Sequence, residues 1–190
     1  MSFWKKYLSL VMISMSSLLL VGCVSMGSKL PPLQTVERVD VERYAGDWYV
    51  IANIPYFAEK GNVAARVNYR ARPDGRFDDE YYYKKKKFTA SEKLAKGIAW
   101  TLNDEATHWR SRFYWPFTFD FYVIGLDDDY QVLALGHPSR KYGWLMARQP
   151  QLSDEVYAEW MLKLVANGYQ TEQFLKVPQR AEDLGQAGFQ

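Results

Sequence analysis

Cysteine occurs once in the 190 residues, at Cys23, which excludes an intramolecular disulfide framework. Histidine occurs only at His108 and His137, and no cluster of His, Cys, Asp and Glu has the spacing of a zinc site. No serine sits in a Gly-x-Ser-x-Gly elbow, and no glycine-rich phosphate loop is present. The acids Asp78, Asp79 and Glu80 are contiguous, so a strand would send neighbours to opposite faces instead of aiming two at one bond. The triplet Asp127-Asp128-Asp129 lacks the alternating oxygen ligands and bidentate glutamate of a calcium loop and reads as a turn. No catalytic residue, metal ligand or cofactor is therefore expected. An excess of charge of either sign is also missing. The net charge is +2 and the pI is near 8.5, with acids and bases interleaved outside the run Lys84 to Lys87, which reads as a solvated strand end. Nucleic acid is not an expected partner.

What is present begins with an address. Residues 1–22 carry Lys5 and Lys6, an apolar run from Tyr7 to Leu20 broken by serines, and then small residues, the order of a secretory signal. Leu20-Val21-Gly22-Cys23 resembles the lipobox of bacterial lipoproteins. That resemblance implies cleavage before Cys23, acylation of its sulfur and amine, and attachment to a membrane. Two or three acyl chains are needed, because one anchors only marginally. Val24 in place of Asp at the next position implies sorting to the outer membrane. Residues 23–35, with Gly27 and the Pro31-Pro32 pair, read as a lipidated tether.

Aromatic residues make up 16% of the chain, with fourteen tyrosines and seven tryptophans, a composition that favours strands. From Gly46 the apolar pattern has period two and is cut by turn signals at short intervals. It predicts strands over 47–54, 62–71, 76–88, 97–101, 107–114, 119–126, 130–136 and 142–148. Pro73-Asp74-Gly75 supplies a hairpin turn. The pattern then changes period. Ser153 as N-cap, Asp154 and Glu155 in the first turn, the stripe Val156, Trp160, Leu164 and the stop at Asn167-Gly168 predict one amphipathic helix. A short strand over 174–177 and a polar tail, 179–190, end the chain. The fold class is all-β, an eight-stranded antiparallel up-and-down barrel with one C-terminal helix packed outside, over 36–178. A two-sheet sandwich is the alternative, and it needs crossing connections that such short turns do not suggest.

Inward parity nominates Val67, Tyr69, Tyr81, Tyr83, Trp109, Phe113, Phe121 and Trp144 as the lining of an apolar pocket. A bulge would flip this parity along a whole strand. Three separated signatures resemble those of the lipocalin family, and of its bacterial lipoprotein members related to apolipoprotein D. These are Gly46-Asp47-Trp48 at the first strand, Asp129-Tyr130 in the turn after the sixth, and Arg148 at the end of the eighth. Asp128 stands where the family usually has threonine. The resemblance implies that Arg148 packs across Trp48 at the barrel floor, with a cation–π contact worth about 0.5–2 kcal/mol. It also implies a fatty acid or lysophospholipid ligand, bound, stored or transported on the periplasmic side of the outer membrane, and it leaves a homodimer open. Two other readings stand beside it. One is a filled barrel acting through protein contacts. The other is an enzyme acting on a bound lipid, which needs an ionisable group inside the barrel, where neither histidine is expected.

Overall fold

The computed structural model describes residues 30–190. The signal segment, Cys23 and the first part of the tether lie outside the described residues. A short helix α1 (Val41–Tyr44) leads into β1 (Gly46–Ile54). There follow β2 (Asn62–Ala71), β3 (Phe77–Lys85), β4 (Lys93–Thr101), β5 (His108–Tyr114), β6 (Phe117–Leu126), β7 (Val132–Gly136) and β8 (Gly143–Ala147). Helix α2 (Asp154–Ala166) and β9 (Leu175–Lys176) complete the order. Successive strands pair antiparallel, β8 returns to β1, and β1 also pairs with β2, so the sheet is a closed barrel.

The strand ends differ from the period-two reading where pairing overrides composition. β4 starts at Lys93, four residues earlier than its apolar pattern suggests, because its backbone continues the ladder with β3 out to Tyr83 opposite Lys93. Lys84 and Lys85 belong to β3, in register with Val63 and Asn62 of β2, while Lys86 and Lys87 project from the turn. The two ladder lysines cost little, since Lys84 Nζ bonds the Phe88 carbonyl and Lys85 Nζ those of Ala58 and Lys60 while their methylenes lie along the sheet.

Register shifts occur in four strand pairs, and those on β1 and β6 bear on which side chains face inward. On β1 the register shifts between Val50 and Ala52, so Trp48 and Val50 point into the barrel, Ile51 and Ala52 point out, and Asn53 returns inside. On β6 a shift between Val123 and Gly125 leaves Ile124 and Gly125 both facing out, toward α2, with Val123 inside. Each bulge lets one strand serve two cores. The inner core fills the closed half of the barrel around Trp48 and Trp109. The outer core lies between the barrel wall and α2, with Ile124, Ala134 and Leu145 against Trp160 and Leu164. A Cβ at Gly125 would stand 2.8 Å from the Trp160 ring, so only glycine lets the helix seat here. Ser153 caps α2 through the Val156 amide, as the sequence predicts. Among the described residues, the buried members of both cores lie between Val39 and Val177.

The tail at 179–190 is polar in composition but docked in place. In the open half of the barrel β1 and β2 diverge, and the segment around β9 enters the gap. Val177 donates to the Ile51 carbonyl, and the Ala64 amide donates to Pro178. Gln179 Nε2 bonds the Val50 and Ala65 carbonyls at 2.8 and 3.0 Å. Gln190 reaches Asn53 and the Gly61 amide. On the N-terminal side, also at the open end, the Pro31 carbonyl accepts from Arg140 of the β7–β8 turn, and the Gln34 amide donates to Asn167.

Candidate ligand cavity

The site is built from its floor upward. Gly46 has φ +99°, and a Cβ there would crowd the Arg148 guanidinium at 3.3 Å. That guanidinium lies 3.8 Å over the Trp48 ring. It donates to the carbonyls of Arg43, Tyr44, Ala45, Asp47 and Tyr130, so the cation ties α1, β1 and the β6–β7 turn to the end of β8. Trp48 Nε1 donates to Tyr44 at 2.8 Å, satisfying the one polar atom of a fully buried ring. The Tyr130 hydroxyl accepts from the Asp40 amide, and Arg43 stacks on its ring. In the same turn it is the Asp127 carboxylate, one residue before Asp128 and two before Asp129, that accepts the Gln131 and Val132 amides.

Above this floor the barrel holds a cavity of about 930 Å³, within the size range of small-molecule sites. Seven of the eight nominated residues line it: Val67, Tyr69, Tyr81, Tyr83, Phe113, Phe121 and Trp144. Trp109 does not, which corrects the parity reading. Its parity is inward but its level is too low. Fully buried, it stacks on Tyr44 with centroids 5.0 Å apart, packs against Phe77, and bonds the Ala106 carbonyl. Period two tells which face a residue takes and says nothing of its height along the barrel axis.

The sequence reading also missed the polar equipment of the cavity. Glu59 comes from the β1–β2 loop and is buried against the wall. Its two oxygens accept from Trp144 Nε1 at 3.0 Å and Asn53 Nδ2 at 2.9 Å. Burial pushes its carboxyl up to about 7, against these two donors and the nearby Lys85 charge. Asp79 projects inward from β3 with Phe77 and Tyr81, accepts from the Ser111 hydroxyl, and is pushed up to about 6 by burial. Ionisable groups therefore do stand inside the barrel, contrary to the inference from the histidines alone. His108 stacks on Tyr122 outside the barrel, and His137 bonds Ser139 in the β7–β8 turn. The inward parity of Asp79 was legible beside Phe77 and Tyr81. Glu59 sits in a loop, where periodicity carries no signal. Burial also raises the hydroxyls of Tyr69 and Tyr81 well above the ordinary tyrosine range, so both remain neutral donors, and Tyr81 accepts from Asn62 at 3.0 Å.

The lipocalin-like domain family matches residues 39–179 of the chain. Temperature-induced lipocalin-1 of Arabidopsis thaliana is 32% identical over 158 residues, 77% of this chain and 83% of the plant protein. Outer membrane lipoprotein Blc of Escherichia coli is 29% identical over 179 residues, 92% of this chain and 98% of the relative. The protein of the same name from Vibrio cholerae is 25% identical over 90% of this chain and 98% of its own. Among solved structures, insecticyanin from the tobacco hornworm Manduca sexta superposes with a TM-score of 0.63 at 13% identity, covering 83% of this chain and 89% of its own. At that identity the likeness concerns the fold. A closed eight-stranded barrel with a helix outside, the Trp48–Arg148 floor and matches over nearly the whole body together show that the chain belongs to the lipocalin family.

Proposed function

We propose that this lipocalin is a binding protein that holds a single-chain lipid, a fatty acid or a lysophospholipid, in its barrel, and stores or transports it at the outer membrane. The observation that carries this reading is the cavity of about 930 Å³ walled largely by aromatic side chains. A sixteen-carbon chain contributes on the order of 10 kcal/mol from its methylenes before the costs of association. The names of the bacterial relatives, outer membrane lipoproteins, support an anchor at acylated Cys23, and we place the body on the periplasmic side. The cavity favours this reading over a filled barrel.

The two buried acids refine the choice of ligand. An ionised Glu59 near the mouth opposes a second carboxylate, whereas the ammonium or hydroxyl of a lysophospholipid headgroup can complete its hydrogen bonds. We read Glu59 and Asp79 as acceptors that orient a ligand. Isothermal calorimetry on delipidated residues 24–190 tests this. Lysophosphatidylcholine and palmitate should both bind at neutral pH, the former more tightly, and binding of neither would overturn the proposal.

A further inference from the structure

The open end of the barrel carries aromatic side chains that neither core uses. Phe57 is 87% exposed, Tyr114 73%, Trp115 80% and Phe117 76%. They come from the β1–β2 loop and from the tip of the β5–β6 hairpin, both at the mouth. Phe57, Tyr114 and Phe117 also border the cavity, and Trp115 does not. Large rings concentrated at one end of a water-facing body mark an interaction site.

Charge says what the partner is. The loops at the mouth present Lys60, Lys86, Lys87 and Lys141 to solvent. Of the acids there, Glu59 is buried, Glu92 is paired with Arg66, and Glu172 stands exposed in the turn after α2, so the exposed lysines outnumber the acids left to face them. The opposite end is acidic, with Asp104, Glu105 and Asp127 to Asp129 in its turns. Tryptophan and tyrosine favour the headgroup level of a bilayer, and lysines are drawn to anionic lipids. The chain's own course agrees. Pro31 is held at the mouth by Arg140 of the β7–β8 turn. Seven residues separate Cys23 from the first described residue, Leu30 counted among them, a span of at most about 25 Å when extended. An anchor at Cys23 therefore tethers the barrel by its open end.

We infer that the rim of Phe57, Tyr114, Trp115 and Phe117, flanked by the mouth lysines, is a membrane-docking face that sets the cavity opening against an anionic lipid leaflet. The assignment rests on the lipid-binding reading only for its purpose, entry of a lipid from the bilayer without crossing water. Residues 24–190, which lack any anchor, should co-sediment with vesicles of phosphatidylethanolamine and phosphatidylglycerol, and less with phosphatidylcholine alone. Trp115→Ser should weaken that association by about tenfold or more while leaving calorimetric affinity for lysophosphatidylcholine unchanged, since Trp115 does not line the cavity. The double charge reversal Lys86→Glu, Lys87→Glu should weaken only the anionic-vesicle binding, as should added salt. Circular dichroism would show both variants folded. Vesicle binding that Trp115→Ser leaves intact would overturn the inference. So would absence of vesicle binding together with a dimer that dissolves in Trp115→Ser, which would make the rim a contact between copies. Loss of vesicle binding with an empty cavity would instead support the rim and overturn the ligand reading.

Discussion

The two ends of the barrel are built from the same residue types to opposite effect. At the closed end tryptophans and tyrosines stack on one another, and the polar atoms of Trp48 and Trp109 find carbonyl partners. Arg148 satisfies five backbone carbonyls at once. At the open end rings of the same size stand in solvent, and the Glu59 carboxyl is buried in the wall, where burial pushes it up to about 7. The first arrangement minimises free energy. The second keeps apolar surface exposed, which is where a protein keeps its capacity to bind.

The sharpest way to break this division is at Trp48. Trp48→Ala removes a fully buried ring and the partner of the Arg148 guanidinium, and should cost about 3–5 kcal/mol in denaturant unfolding. Lipid affinity per folded molecule should stay as it is. Selective loss of binding without loss of stability would place the floor in the ligand site and erase the contrast between the ends.

The carboxyl at the mouth offers the next largest effect, and its sign follows from proton binding. Glu59 holds its proton up to about 7 in the fold, against 4.5 for a free side chain, so between these values the native state binds a proton that the unfolded chain has released. Stability from this group is therefore full below about pH 4.5, falls as pH rises to about 7, and is level above that. Asp79 acts in the same direction, between 3.8 and about 6. Glu59→Gln removes the first contribution. Relative to wild type, the variant should gain about 3 kcal/mol on going from about pH 4.5 to about pH 8, read from urea melts at the two values. A pH-independent difference would show that Glu59 is not buried as an acid.

How much of this was legible in the sequence follows the same line between the ends. The eight strands, the capped helix and the Trp48–Arg148 pair were readable because alternation, cap chemistry and motif spacing are local signals. Seven lining residues followed from parity, and Trp109 did not because parity carries no height. Asp79 was judged by its neighbours Asp78 and Glu80 instead of by its face. Glu59, the mouth aromatics and the docked tail were not readable as a site at all. Loops have no period, and the partners of the tail are more than a hundred residues away in sequence, as Gln179 is from Val50 and Ala65.

The smallest effect tests whether that tail belongs to the binding end. Gln179 Nε2 bridges two buried carbonyls on strands that no longer pair with each other, Val50 on β1 and Ala65 on β2. Gln179→Ala leaves both without this donor, at a cost of about 1–2 kcal/mol. Because the wedge sits in the open half, the loss should be local. The Ala64 amide, which donates to Pro178, should exchange hydrogen faster, while the Tyr44 and Ala45 amides at the floor keep their protection. If floor and mouth loosened together, the barrel would be one cooperative unit, and the rigid end would not be separable from the adaptable one.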